Sequence, residues 1–174
     1  MAGAVGGTAG RRSRTAGGDA VELDVTAFLC AAGGRVLSDE HFVFFNNPQE
    51  PDGAVRLQPT RSVPGEPTRA ARLALDLHRL PPAVAEVVVA VSTEEEEPPA
   101  LPLGYVHGLS LAAVYGPGAS GPDAWAGPTG GVPDSAMLLG AFRRAGGGWE
   151  FSPSGRAVTD GLAGLATAFG VAVE

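Results

Sequence analysis

The chain is short of cysteine and has no lysine. Its 174 residues include 1 cysteine, Cys30, and all 12 basic residues are arginines. A single cysteine excludes an internal disulfide and any zinc site built from several cysteines. We attribute the arginine bias to a GC-rich genome and give it no functional weight.

Net positive charge and long apolar segments are also missing. The formal net charge is -7. This balance disfavours nucleic acid and anionic membranes as partners, because such binding depends on clustered cations. No stretch approaches the roughly 20 apolar residues that cross a bilayer. The early arginines follow small residues instead of preceding an apolar run, so we expect no signal peptide, no integral membrane segment and a cytoplasmic location.

The residues that are present suit one folded domain rich in β-structure. Hydrophobic residues make up 44% of the chain, while 26 glycines and 15 prolines argue against a bundle of long helices. Residues 1–19 consist almost entirely of Gly, Ala, Ser, Thr and Arg, which bury little apolar surface. We therefore expect a disordered tail over residues 1–19 and one domain over residues 20–174.

Short apolar segments separated by turn residues predict the fold. The sequence predicts strands at residues 21–29, 54–58, 72–77, 83–91, 109–114, 136–142 and 149–151. Residues 116–133 read as an irregular loop. A helix is predicted from Thr159 or Asp160 to Gly170, with an apolar face made by Leu162, Leu165, Ala166 and Phe169. The fold class is therefore mainly β, a two-sheet antiparallel β-sandwich with a short C-terminal helix.

Catalytic motifs are scarce. The chain has no Gly-x-Ser-x-Gly elbow after a strand and no P-loop. Cys30 ends a strand and is expected to be an inert buried thiol. The remaining enzyme hypothesis is a hydrolytic site around His41, Asp39 and Asp52, and we rank it below a non-enzymatic function.

Oxygen-bearing side chains form the most informative pattern. Glu22, Asp24 and Thr26 share one side of the first predicted domain strand. A second group follows the Gly33–Gly34 turn, at Ser38, Asp39, Glu40, Asn46, Asn47 and Asp52. If the chain folds back at that turn, the two groups supply the kind of ligands that calcium takes in sixes to eights. The alternative is an ordinary polar face on an exposed strand.

Four stretches of this sequence resemble the TerD family of tellurium-resistance and stress-response proteins. They are residues 22–56, 73–92, 134–144 and 149–171. The most specific are ELDVTAFLCAAGGRVLSDEHFVFFNNPQEPDGAVR and WEFSPSGRAVTDGLAGLATAFGV. The resemblance implies a calcium-binding β-sandwich without known catalysis that works beside other Ter-type proteins in bacterial stress response. The calcium ligands it implies are Glu22, Asp24, Asp39, Glu40 and Asn46, and Glu95 falls near a further acidic position.

The sequence also departs from the family pattern where calcium ligands are expected. Thr60 and Arg61 occupy the place of an Asp-Asn pair, and Arg69 and Arg72 add positive charge nearby. A guanidinium repels calcium and has no lone pair to donate to it. We therefore expect a divergent member with a degraded calcium site that acts through protein interactions, with Arg61 paired to Asp24 or Asp39 in place of the metal. The rival hypothesis is a functional calcium-binding TerD-type protein.

Overall fold

The computed structural model describes ten strands and one α-helix. Described residues are 2–10, 23–62, 68–93, 102–105, 109–115, 123–126 and 132–172. The elements are β1 Ala2–Gly10, β2 Leu23–Cys30, β3 Phe42–Val43, β4 Val55–Ser62, β5 Thr68–Asp76, β6 Glu86–Thr93, β7 Leu109–Tyr115, β8 Asp123–Ala126, β9 Ala136–Ala145, β10 Gly148–Val158 and α1 Gly161–Ala168.

The strands form two antiparallel sheets of five strands each. The first sheet has the order β4-β5-β1-β7-β8, and the second has the order β10-β9-β6-β2-β3. Every strand pairing is antiparallel. The predicted fold class, a two-sheet antiparallel sandwich with a short C-terminal helix, is confirmed.

Apolar residues are buried on both faces of the second sheet. One core cluster lies between the sheets and includes Leu29, Val89 and Leu73. A second cluster lies on the outer face of the second sheet, where Phe28 and Val88 pack with helix residues. This arrangement explains the uninterrupted apolar run in β6, since both of its faces are covered.

Helix α1 covers that outer face as a third layer. Leu165 and Ala166 are buried in the outer cluster, and Leu162 and Phe169 pack against it, as the predicted apolar face requires. Asp160 occupies the N-cap position with a left-handed φ of 65° and without a side-chain cap hydrogen bond. Gly170 follows the helix with a φ of 79°, the left-handed conformation that commonly ends helices.

The structure differs from the expected tail at residues 2–10, which form β1. This strand lies between β5 and β7, with Ala2 opposite Asp76 and Gly3 opposite Tyr115. A strand paired on both sides satisfies its peptide groups with main-chain hydrogen bonds, so few apolar side chains are needed to order it. Residues 11–19 lie outside the described part of the chain.

Two further segments are more regular than their composition predicts. Residues 123–126 of the expected loop form β8, in which Trp125 is opposite Leu111. Gly146 and Gly147 form the turn between β9 and β10, with φ values of 55° and 81°. Strand β10 continues past it to Val158, with an irregularity between Pro153 and Arg156. Because β10 is an edge strand, proline is tolerated there.

Candidate functional site

Asp24 and Thr26 lie on the outer face of the second sheet. Along β2 they alternate with inward residues and share a face with Phe28, which belongs to the outer cluster. Asp24 is half-buried and stands opposite Ser92 of β6. Thr26 is 0% exposed, so the interpretation of this segment as an exposed strand is wrong. Burial raises the pKa of the Asp24 carboxyl above its ordinary value.

Asp39 and Glu40 lie in a short 3-10 turn, Asp39–His41, that precedes β3. Both side chains are exposed. The Oδ1 atom of Asp39 accepts a hydrogen bond of 3.3 Å from the backbone N–H of Ala172, just after the C-terminal helix. Asp39 therefore ties the end of the described chain to this turn.

The two adjacent asparagines have different surroundings. Phe44 and Asn47 exchange backbone hydrogen bonds of 3.0 Å, which closes a tight turn. The side-chain amide of Asn47 donates to the carbonyl oxygens of Phe42 at 2.7 Å and Glu40 at 3.1 Å. Asn46 lies at the tip of the turn and is exposed. Asn47 is thus a structural residue, while Asn46 is open to solvent.

The structure separates Asp24 from the turn that carries Asp39 and Glu40. Phe28 of β2 is opposite Phe42 of β3. Asp24 lies four residues to one side of this pair, about 13 Å of extended strand. Asp39 and Glu40 precede Phe42 on the other side. Calcium takes six to eight oxygens at about 2.4 Å, so these residues do not fit one calcium shell.

Several predicted ligands fall outside the described side chains. Glu22 and the run Glu94 to Glu97, which includes Glu95, lie outside the described residues. Thr60 and Arg61 belong to β4, where the pairing with β5 shifts between Gln58 and Arg61. Only their backbone is described, and the proposed pairing of Arg61 with Asp24 or Asp39 stays a prediction.

Glu50, a buried carboxylate close in sequence to the predicted ligands, was not among the predicted site residues. Glu50 is 0% exposed. Its carboxylate accepts backbone hydrogen bonds from Asp52 at 2.8 Å, from Ala54, and from Val55 at 3.2 Å. The signal was a glutamate just before a Pro-Asp-Gly turn, a position from which a side chain reaches the amides of the following loop.

His41 contacts a serine. Its Nδ1 atom lies 2.8 Å from Oγ of Ser38, the residue that begins the turn. Asp39 binds the N–H of Ala172, and Asp52 donates its own N–H to Glu50. The contacts of these two aspartates therefore serve loop structure.

Cys30 is fully buried. Burial, together with the nearby Glu86 carboxylate, raises the pKa of its thiol to about 12. At neutral pH the sulfur stays protonated and is a poor nucleophile. The expectation of a buried thiol is confirmed.

Comparison with known proteins gives the family. A model of the TerD domain matches residues 4–169. The chain belongs to the TerD domain family. Tellurium resistance protein TerD from an Alcaligenes species is 27% identical over 160 residues, covering 91% of this chain and 83% of that protein. The Serratia marcescens protein of the same name is 26% identical over 160 residues, with the same coverage.

Solved structures share the fold. A crystal structure of SAV2460, a protein of unknown function, superposes with a TM-score of 0.73 at 24% identity, covering 98% of both chains. A homologue of telluride resistance protein TerD from Streptomyces coelicolor, SCO6318, gives a TM-score of 0.68 at 19% identity, covering 92% of both chains. Among the described residues, no helix has the length and apolarity needed to traverse a bilayer.

Proposed function

We propose that this TerD-family protein is a cytoplasmic, non-enzymatic stress-response module of the tellurium-resistance type, which acts through contacts with other proteins and binds calcium weakly or not at all. The names of its relatives support the tellurium-resistance context. Ter-type proteins are the first partners to examine.

One observation carries the proposal on calcium. Asp24 stands on the outer face of the second sheet opposite Ser92, whereas Asp39 lies in a turn on the far side of the Phe28–Phe42 pair and binds Ala172. Dispersed carboxylates provide neither the ligand number nor the charge density that tight calcium binding requires.

Calorimetric titration with calcium tests this. We expect a Kd weaker than about 10⁻⁵ M, outside the range of calcium sensors. Tighter binding that disappears in both Asp24→Ala and Asp39→Ala would contradict the proposal and establish the rival, a functional calcium-binding protein.

Arg61 gives a second test. If its guanidinium stands in for a cation, Arg61→Asp restores a ligand and removes a repulsive charge. We expect higher calcium affinity and a lower melting temperature in chelator. Unchanged calcium affinity together with an unchanged melting temperature would contradict the hypothesis that Arg61 replaces the metal.

Phe45 supports a role in protein contacts. It is the one large hydrophobic residue that is markedly exposed in the described part of the chain, at 54%. Its ring packs edge-on against Phe44, which stacks on Phe42, which in turn stacks on Phe28. A rigidly held exposed aromatic ring is the kind of residue that anchors protein interfaces.

Cross-linking in native cells, followed by identification of the attached proteins, tests this role. Phe45→Ser should lower the yield of the specific partners at least severalfold, while Gln49→Ala, an exposed neighbour, should not. Equal yields from both variants would remove Phe45 from the interface.

Esterase or phosphatase activity that vanished in His41→Ala would contradict the non-enzymatic assignment.

A further inference from the structure

Three oxygen-bearing side chains occupy neighbouring positions on the outer face of the second sheet. Asp24 of β2 is directly opposite Ser92 of β6. Thr26 is opposite Ala90, which lies two residues before Ser92 on the same strand. Thr26 shares the face of Asp24 because side chains two apart on a strand point the same way. Directly opposite residues have Cβ atoms about 5 Å apart, and diagonal ones about 7–8 Å.

The two hydroxyls of this group are buried, and neither has a partner among the described residues. Thr26 is 0% exposed and Ser92 is 1% exposed. Neither Oγ1 of Thr26 nor Oγ of Ser92 has a hydrogen-bond partner within the described structure. Buried polar groups in native proteins are satisfied in the large majority of cases, because an unmade hydrogen bond is unfavourable.

The third group is the carboxyl of Asp24, which has no positively charged partner among the described residues. Its carboxyl is half-buried, and no arginine or histidine pairs with it in the part of the chain that the structure describes. Among the described side chains, the face therefore presents one carboxylate and two hydroxyls and no positively charged group. Such a donor set is made of hard oxygen ligands with a single negative charge.

The single negative charge of these three side chains favours a monovalent cation over a divalent one. A divalent ion would leave an excess positive charge in a partly buried place, and three side chains fall well short of the six to eight oxygens that calcium takes. A monovalent cation is balanced by one carboxylate, and it accepts hydroxyl lone pairs. Water reaching the exposed half of Asp24 supplies the rest of its shell.

We propose that Asp24, Thr26 and Ser92 bind one alkali-metal cation of the size of sodium on the outer face of the second sheet. The ligand set differs from the loop carboxylates that the family resemblance implies, since two of its three members are hydroxyls within strands. The proposal goes beyond the proposed function and does not depend on it.

Thermal unfolding of the full chain, together with ²³Na NMR, tests the site. The two solutions are sodium chloride and choline chloride at equal ionic strength, each with chelator to remove divalent ions. We expect a melting temperature several degrees higher in sodium chloride, because a ligand that binds only the folded state stabilises it. The ²³Na signal should broaden on addition of protein.

Matched variants locate the effect. Ser92→Ala and Asp24→Asn should abolish both the sodium-dependent stabilisation and the line broadening, while Ser152→Ala, an exposed serine of β10, should keep them. Equal melting temperatures in sodium and choline would overturn the proposal and indicate that water satisfies the two hydroxyls. Stronger stabilisation by calcium than by sodium, lost in Ser92→Ala, would also overturn it by assigning the face to a divalent ion.

Discussion

At the scale of single residues, Glu50 shows how a buried charge organises a loop. Its carboxylate is fully buried and accepts three backbone N–H groups from the loop that leads into β4. Hydrogen bonds to a charged group are stronger than those between neutral groups. The carboxylate thereby replaces the solvent that these amides lose on folding.

Removing this carboxylate should destabilise the protein. We expect Glu50→Ala to lower the free energy of unfolding by roughly 3 kcal/mol, because the amides it binds lose a charged acceptor. Glu50→Gln keeps one acceptor oxygen and should lose less. Urea unfolding measures both, with Gln49→Ala as the control. A loss in Glu50→Ala no larger than in the control would mean that water satisfies the loop.

The partial burial of Asp24 makes the stability of the protein depend on pH. Burial raises its pKa above the ordinary 3.8, so the folded state holds the proton more tightly than the unfolded state. The stability that this group contributes is full below its unfolded pKa and is lost as pH rises through the folded pKa.

The neutral variant Asp24→Asn should therefore be more stable than the unaltered protein at pH 7 in choline chloride. The advantage should disappear near pH 3.5, where the native carboxyl is protonated too. Urea unfolding of both proteins at the two pH values measures the difference. If the two proteins have the same stability at pH 7, desolvation of Asp24 is too small to matter.

Part of the arrangement around Asp24 could be predicted from the sequence alone. The alternation in β2 correctly placed Asp24 and Thr26 on one face. Ser92 was missed because it ends an apolar run in β6, and strand pairing that brings it opposite Asp24 is not visible in either segment alone. Likewise, the separation of Asp39 from Asp24 follows from the register of β2 with β3.

At the scale of elements, Arg144 joins a loop to a strand. From β9, its Nε atom donates to Val84 O at 2.7 Å, and Nη2 donates to Leu80 O and Pro81 O at 3.0 Å. The guanidinium also lies 4.5 Å from the centroid of the Trp149 ring. One side chain thus fixes the loop before β6 and packs on β10.

Replacing Arg144 should loosen that loop. We expect Arg144→Ala to lower the free energy of unfolding by about 1–3 kcal/mol, since three carbonyl contacts and a cation–π contact are lost. Arg144→Lys should recover only part, because an ammonium lacks the planar fork. The adjacent Arg143→Ala breaks an ion pair with Glu86 in which the arginine is exposed, and it should lose less than about 1 kcal/mol. Similar losses at both positions would contradict the assigned role.

Sequence patterns located most elements but not all of their limits. Apolar alternation predicted segments in β2, β4 to β7, β9 and β10, because burial leaves a period of two. β1, β3 and β8 went unpredicted. β1 and β8 are ordered by main-chain pairing with neighbouring strands, and β3 is only two residues long. The full length of β10 was missed because Pro153 and Gly155 read as strand breakers, although an edge strand accommodates them.

At the scale of the whole molecule, the protein is a sandwich with a third layer. The helix covers the outer face of the second sheet through Leu165 and Ala166, while Phe169 stacks on Phe28 with ring centroids 4.4 Å apart. That layer packs on the same face of the sheet as the one on which Asp24, Thr26 and Ser92 lie. The helix is therefore part of the main fold.

Truncating the centre of the helix contact should affect the stability of the whole domain. Leu165 is 0% exposed. We expect Leu165→Ala to lower the free energy of unfolding by about 2–5 kcal/mol, from lost burial and the cavity left behind. Thr167→Ala, an exposed change in the same helix, should stay within about 0.5 kcal/mol. Calorimetry compares them, and a Leu165→Ala loss near that of the control would show that the helix is only loosely attached.

We propose that Asp24 and Asp39 of this TerD-family chain do not share a calcium ion. A crystal structure of the full chain grown in calcium, with anomalous scattering used to identify the ion, tests it most directly. We expect Asp24 and Asp39 in separate places, with no shared calcium peak between them. A fully occupied calcium ion, enclosed by oxygens from both aspartates, would contradict the account.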